Sequence, residues 1–324
     1  MRPSKSYLPL GWLAPILGLA ALALLLAPPT VQAQATTPVW EQLPAQADLA
    51  MQARVSAMVK VLKPGVVSTV VQNHLGRALG QGLPDPTRSL DDIALAVVVN
   101  GLSGSQGAAV AQGSLELAPL LEAARQRTPG QPAPVTWNCR GVPLTAVVSP
   151  GKRTLSLGTL PDGHKLLLQH AASDNTLAAA AITAAADRSR GYSAAHPQAF
   201  PQGSLLAIHV ARPATLATFP QLAKVPWDNL AAAQLTILPE SGQFRLNASV
   251  ELTSWLKAQI VKPFIQGALN RAMTNPKLPP AAKKLLGKLT LSYDGKLFRA
   301  TALASAQEIE ELLLSLPGHE PAAQ

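Results

Sequence analysis

Cys139, in the run Trp137-Asn138-Cys139-Arg140-Gly141, is the one cysteine of the 324-residue chain. A neighbouring arginine can lower a thiol's pKa enough to make it reactive. A nucleophile also needs a base beside it, however, and no histidine is local. The competing reading is a small buried residue on a strand; a link between two chains is a third. His164 and His170 stand six residues apart, with Leu166 and Leu168 between them on the same face of an expected strand. Six residues of strand span roughly 20 Å, too far for both to hold one metal ion. His170 is therefore expected opposite Leu155, hydrogen-bonded at the rim of a core. His74, His196 and His209 are scattered. The sequence contains no His-Glu-x-x-His, no Gly-x-Ser-x-Gly, no Walker-type Gly-Lys-Ser/Thr loop and no Cys-x-x-Cys pair. No catalytic residue, metal site or cofactor is expected from motifs.

Charge is the uneven feature. Lys257, Lys262, Arg271, Lys277, Lys283, Lys284, Lys288, Lys296 and Arg299 lie in one segment whose only acid is Asp294. A field of one sign attracts anions. Lys257, Lys262, Arg271, Lys283, Lys284 and Lys288 are the candidate surface for an anionic partner, an envelope lipid or polysaccharide. The alternative is a pair of solvated helices whose lysine stems cover apolar neighbours. Nucleic acid is not an expected partner, because regularly interleaved aromatics are missing.

The elements that carry these residues follow a leader. Arg2 and Lys5 precede an apolar run from Leu13 to Ala27, then Pro28-Pro29 and the small-residue sites Val31, Ala33 and Ala35. That is the pattern of a cleaved secretory signal peptide over residues 1–35, so export to a bacterial periplasm or exterior is expected. Removing Arg2 and Lys5 from a formal net charge of +9 leaves +7. With 48% hydrophobic and 4% aromatic residues, the core must be mostly Leu, Ala and Val. A single cysteine means stability without internal disulfides.

Residues 36–87 read as an N-terminal helical segment. Met51, Val55, Met58, Val59 and Leu62 recur at helical spacing, Pro64-Gly65 end that stripe, and a second helix carries Val66, Val67, Val70, Val71 and Leu75. Beyond a Gly- and Pro-rich loop from Gly80 to Arg88, the chain repeats its own order. Leu90-Asp91-Asp92-Ile93 and Trp227-Asp228-Asn229-Leu230 each open a strand-turn-strand unit that enters a helix. An Asp-Gly hairpin (Asp162-Gly163, Asp294-Gly295) and a second helix follow in each case. Phe244, Leu246, Ala248, Val250 and Leu252 alternate with polar residues, as on an antiparallel strand with one wet face. Two-residue turns place Leu291 opposite Phe298, Leu289 opposite Ala300 and Leu157 opposite Leu168. The fold class is α+β: two repeats of strand-strand-helix-strand-strand-helix over residues 88–200 and 201–324, with helices on one face of antiparallel sheets.

The strand-turn-strand units entering helices at Gly113 to Leu121 and Ala248 to Leu256, with the later Asp-Gly hairpins, resemble uncharacterised exported bacterial proteins with a duplicated α+β domain. The resemblance implies a fold and a location and assigns no activity. The favoured function is an exported, non-catalytic binding or assembly protein that meets an anionic envelope component or another envelope protein. A carrier of an apolar small molecule or lipid is the alternative, and an enzyme the third. A dry cavity lined by Leu, Ile and Phe favours the carrier; a cleft with convergent acids and a histidine favours the enzyme.

Overall fold

A computed structural model describes residues 38–68, 89–99, 105–128, 130, 132–148, 153–171, 174–218, 227–276 and 278–315. The leader, His74, Lys277, most of the second expected helix and the 80–88 loop up to Arg88 lie outside these residues. Twelve strands form one antiparallel sheet: β1 (Leu49–Ala53), β2 (Leu90–Val99), β3 (Ser105–Gly113), β4 (Val135–Cys139), β5 (Val142–Val147), β6 (Arg153–Thr159), β7 (Lys165–Ala171), β8 (Leu206–Val210), β9 (Leu230–Glu240), β10 (Gln243–Leu252), β11 (Thr290–Asp294) and β12 (Leu297–Ala304). Their order across the sheet is β11-β12-β10-β9-β8-β1-β2-β3-β7-β6-β5-β4. The helices are α1 (Val55–Val61), α2 (Ala118–Arg127), α3 (Thr176–Ala186), α4 (Tyr192–Ala195), α5 (Trp255–Thr274), α6 (Pro280–Gly287) and α7 (Ala306–Ser315).

The two halves of the chain meet at a seam where β1 and β8 pair, Met51 opposite Ile208. Outward from that seam, one flank runs β2-β3-β7-β6 and the other β9-β10-β12-β11, the same succession of connections. Both Asp-Gly turns join the last two strands of their succession. The first half adds a hairpin, β4-β5, beyond β6, where two strands had been expected between the helices.

The N-terminal helical segment is corrected. Among its described residues only α1 and residues 64–68 are α-helical; a short 3-10 turn spans Val39–Gln42 and Leu49–Ala53 is a strand. Met51 falls on the helical stripe by spacing. Its neighbours across β2 and β8 decide otherwise, because hydrogen bonds on both sides outweigh weak local propensity.

Two turn registers also differ from expectation. Gly295 takes a positive φ of 57° and Asp294 pairs with Leu297, so the turn is Gly295-Lys296, and Leu291 opposes Ala300. In the first hairpin Leu160 N donates to His164 O, leaving three residues in the loop. Leu157 then opposes Leu167, and His170 opposes Thr154. A one-residue slip exchanges the two faces of a strand. Here it puts Leu167 on one side of the sheet with Leu157, and Leu166 and Leu168 on the other.

Helices lie on both faces, where one had been expected. A cross-sheet row on the first face, Leu291-Ala300-Ala248-Leu235-Ile208-Met51-Leu95-Ala109-Leu167-Leu157, is apolar throughout. Leu120 of α2, Val55 of α1, Leu285 of α6 and Ile309 of α7 belong to the core on this face. On the second face Ala94, Ala96, Ala108, Val110, Leu166 and Leu168 are covered by Leu177, Ala178, Ala181 and Ile182 of α3 with Tyr192 and Phe200. Small alanines let α3 approach the strands closely. That second layer reaches Ala207 of β8 and includes no residue of β9 to β12.

Candidate functional site

The neighbouring row on the second face changes character at the seam. From β6 inward it reads Ser156, Leu168, Ala108, Ala96 and Ala50; from β8 outward it reads His209, Gln234, Ser249, Arg299 and Ser292. From β8 outward no residue of this row is fully buried. Thr236, Asn247 and Thr301 continue the polar half-face one register step away. Period-2 alternation on β10 builds it: Arg245, Asn247, Ser249 and Glu251 share this side, while Phe244 and Leu246 pack into the core on the other.

A cleft of about 670 Å³ sits at the inner end of this half-face. Its floor is β8, β9 and β10, with Ala211, Ala231, Ala232 and Ala233 keeping it shallow-walled and open. One wall is the segment after α4, His196 to Ala199; the opposite rim is Glu251, Asp294, Lys296 and Arg299. Gln234 holds wall to floor by donating to Gln198 O (2.7 Å) and Ala199 O (3.0 Å).

Behind the wall Tyr192 is fully buried. Its N–H donates to Leu43 O (2.8 Å) and its hydroxyl is hydrogen-bonded with His209 Nδ1 (2.7 Å). The His196 ring lies tilted against its neighbours, its centroid 4.5 Å from that of Tyr192 and 5.1 Å from that of His209. Burial pushes His209 down to about 4, helped by the positive charge His196 would carry, and lowers His196 as well, with Arg212 adding to the effect. Burial, then the Asp48 charge, raises the Tyr192 phenol. Both histidines are therefore neutral at pH 7, and His209 is hydrogen-bonded with a phenol that stays protonated.

A depressed histidine pKa sets the sign of a pH effect. Unfolded His209 binds its proton near pH 6.5 while the folded ring resists to about 4, so stability should fall as pH drops from 6.5 towards 4. Tyr192→Phe keeps the ring contacts and removes the hydrogen bond, and should cost about 1 kcal/mol at pH 7. Urea unfolding of both proteins at several pH values checks the two effects together.

No family model matches this sequence, and no curated protein matches it. Among solved structures, crystal form III of TP0453 is similar with a TM-score of 0.50 at 11% identity, covering 87% of this chain and all of that one. Crystal form I of TP0453 gives 0.47 at 13% identity, covering 87% and 98%. At such identity the first likeness bears on the fold alone.

The basic segment is divided by the fold. Lys257, Lys262 and Arg271 lie along α5, and Lys283 and Lys284 on α6, with Lys288 just beyond it. Lys284 and Lys288 close on Glu308 of α7 at 3.0 and 2.7 Å, so these two candidates are paired within the chain. Lys296 and Arg299, from the same run of sequence, lie instead at the cleft on the far face. Pro263 sits inside α5 without ending it, and Ile265 packs that helix on Leu230, Val250 and Leu252.

The other candidates are sealed. Cys139 is buried, and burial pushes its thiol up against the lowering effect of Arg140. Ser156 Oγ lies 2.8 Å from His170 Nε2, a serine–histidine pair by distance, but neither residue is accessible. His170 Nδ1–H donates to Ala171 O (2.7 Å), which leaves Nε2 to accept from Ser156. His164, equally buried, donates from Nδ1 to Asp162 Oδ2 (2.8 Å) within its own turn. Among the described residues no cluster of three metal-ligating side chains occurs.

Sequence reasoning overlooked the cleft. Its residues are separated by more than a hundred positions at the extremes, and His196 and His209 meet only because α4 folds back over β8. The polar side of β10 was the available signal, and it marks a wet face without marking a site.

Proposed function

We propose that this chain is an exported, non-catalytic binding protein of the bacterial envelope, built from a duplicated α+β unit, and that it binds through the polar half of its second face. One observation carries the reading. α3 and α7 follow equivalent strands, β7 and β12, yet α3 covers the second face of its half while α7 packs on the first face. Among the described residues that half-face is left without a helix; it is polar, and it is concave where the cleft forms. The shared strand order and the matching positions of the two Asp-Gly turns support the duplication; the leader supports export.

The cleft's composition argues against an apolar cargo, since charged and amide groups rim an alanine floor. A catalytic reading draws on the same two acids and two histidines. It is weaker because His209 is held by Tyr192, and among the described residues no serine or carboxylate of the cleft hydrogen-bonds either histidine. An anionic partner for α5 and α6 would have to compete with Glu308 for Lys284 and Lys288, so the basic segment is the less favoured surface.

Native mass spectrometry of protein purified from the producing cell tests the reading. We expect a mature chain beginning at Gln34 or Thr36 that carries a retained small mass. Ser249→Trp, which puts an indole on the cleft floor, should release that mass without unfolding the protein. A wild-type protein that is bare under gentle ionisation, or one that keeps its ligand in the variant, sinks the proposal.

A further inference from the structure

Glu251, Asp294, Lys296 and Arg299 all line the cleft's rim, and among the described residues none of the four makes an ion pair. Elsewhere on this protein opposite charges close up: Arg245 forks Glu240, Arg125 forks Glu122, and Lys284 and Lys288 share Glu308. Register fixes the spacing at the rim. Leu297 faces Glu251 on one side and Asp294 on the other, and Arg299 faces Ser249 and Ser292. Arg299 is therefore the diagonal neighbour of both acids, at about 7–8 Å between Cα atoms. Two acids and two cations make the rim neutral in sum, so a ligand of one sign meets as much repulsion as attraction. The histidine wall adds no charge at neutral pH. Arg299 lies inward of the row Asp294-Leu297-Glu251 and Lys296 in the turn beyond it, so a molecule carrying both signs can meet the acids and Arg299 together.

Size narrows the class. The cleft lies within the roughly 300–1,000 Å³ range of small-molecule sites. Arg299 is set apart from the two acids by about two strand residues, more than the ammonium and carboxylate of one free amino acid span. At about 3.3–3.6 Å per residue, the termini of an extended chain of two or three residues match that separation.

We propose that the cleft binds a short zwitterionic peptide of two or three residues, its carboxylate on Arg299 and its ammonium on Glu251 and Asp294. The proposal rests on the reading that this half-face binds a ligand. The alanine floor sets no demand on peptide side chains beyond small size, so selectivity comes from the two termini. Hydrogen bonds from the backbone of such a peptide have Gln234 and Ser249 within the cleft as partners.

Trialanine, its N-acetyl form and its C-terminal amide are the probes, titrated at low salt into the mature protein and followed by amide shifts and calorimetry. Trialanine is expected to bind and to shift resonances of β10, β12 and the 196–199 segment. Each capped form should bind at least tenfold more weakly, because one charge is lost and its rim partners stay unpaired. Arg299→Gln should remove the penalty for amidation and keep the penalty for acetylation; Glu251→Gln should do the reverse. Both side chains are exposed, so both variants are expected to fold, which circular dichroism checks. Equal binding of capped and uncapped peptides overturns the proposal, as does no binding of any. If the native protein carries a mass that Ser249→Trp releases while trialanine does not bind, the zwitterion assignment fails and the binding reading survives it.

Discussion

Gly113→Ala should lower the unfolding free energy by about 3 kcal/mol or more, among the largest effects of any single methyl group in this chain. Gly113 ends β3 opposite Leu90 with φ at 137°, a conformation that L side chains rarely adopt. A Cβ there would stand 2.1 Å from Ser89 O and 3.0 Å from Leu90 Cα. Both contacts are backbone, so no side chain can swing away to relieve them. Relief requires parting β2 from β3 where Leu90 and Leu115 enter the core and the chain turns towards α2. Gly267→Ala is the control. It lies in α5 with nothing within 4 Å of the added carbon, and should stabilise by a few tenths to 1 kcal/mol through helix propensity. Urea unfolding of both variants gives the comparison. Equal stability of Gly113→Ala and the wild type would mean the β2-β3 junction is not as described.

Glu308→Gln should cost about 2 kcal/mol at pH 7, and the cost should disappear on acidification. Ser305 and Glu308 form a reciprocal cap at the start of α7. Glu308 Oε2 accepts from Ser305 N (2.9 Å), and Ser305 Oγ accepts from Glu308 N (3.2 Å). The same carboxylate accepts from Lys288 at 2.7 Å and meets Lys284 at 3.0 Å, with its side chain only 8% exposed. Lys288, then the Ser305 amide, then Lys284 hold the carboxyl down to about 2. A depressed acid contributes stability that is complete above its unfolded value, near 4.3, and is lost as pH falls through the folded one. The difference between wild type and Glu308→Gln should therefore be full above about pH 5 and close towards pH 2. A gap that stays constant over that range would show that shape, not charge, is what the glutamate supplies. The glutamine amide still accepts from Ser305 N, so the variant isolates the two lysines. With that carboxylate gone, both lysines turn to solvent and the basic character of α6 rises.

Local pattern was sufficient where one strand's own residues decide its exposure. Alternation from Gln243 to Leu252 marks β10 and its wet side, because a strand's period of two depends only on which face is buried. The Asp-Gly pairs mark hairpins because positive φ at glycine is a property of the turn itself. Ser305-x-x-Glu308 is likewise a local device, legible as a helix start. The sheet-level facts were not legible. Met51 has helical spacing with Val55 and Met58, and only the strands on either side of it make Leu49–Ala53 extended. One residue more or less in a turn decided which leucines of β7 face α3, a difference that composition around Asp162 does not carry.

The sequence by itself determined the antiparallel character of the strands, the hairpins at Gly163 and Gly295, and the lack of a local catalytic motif, because these follow from periodicity and from chemistry within a few residues. Tertiary structure alone decided that twelve strands share one sheet and that α3 and α7 lie on opposite faces. It also parted Lys296 and Arg299 from the other cations of their segment and brought them to one rim with Glu251. Those outcomes depend on which surfaces meet across more than a hundred residues of chain, where burial of one face against another, and not any neighbour in sequence, fixes the position of each side chain.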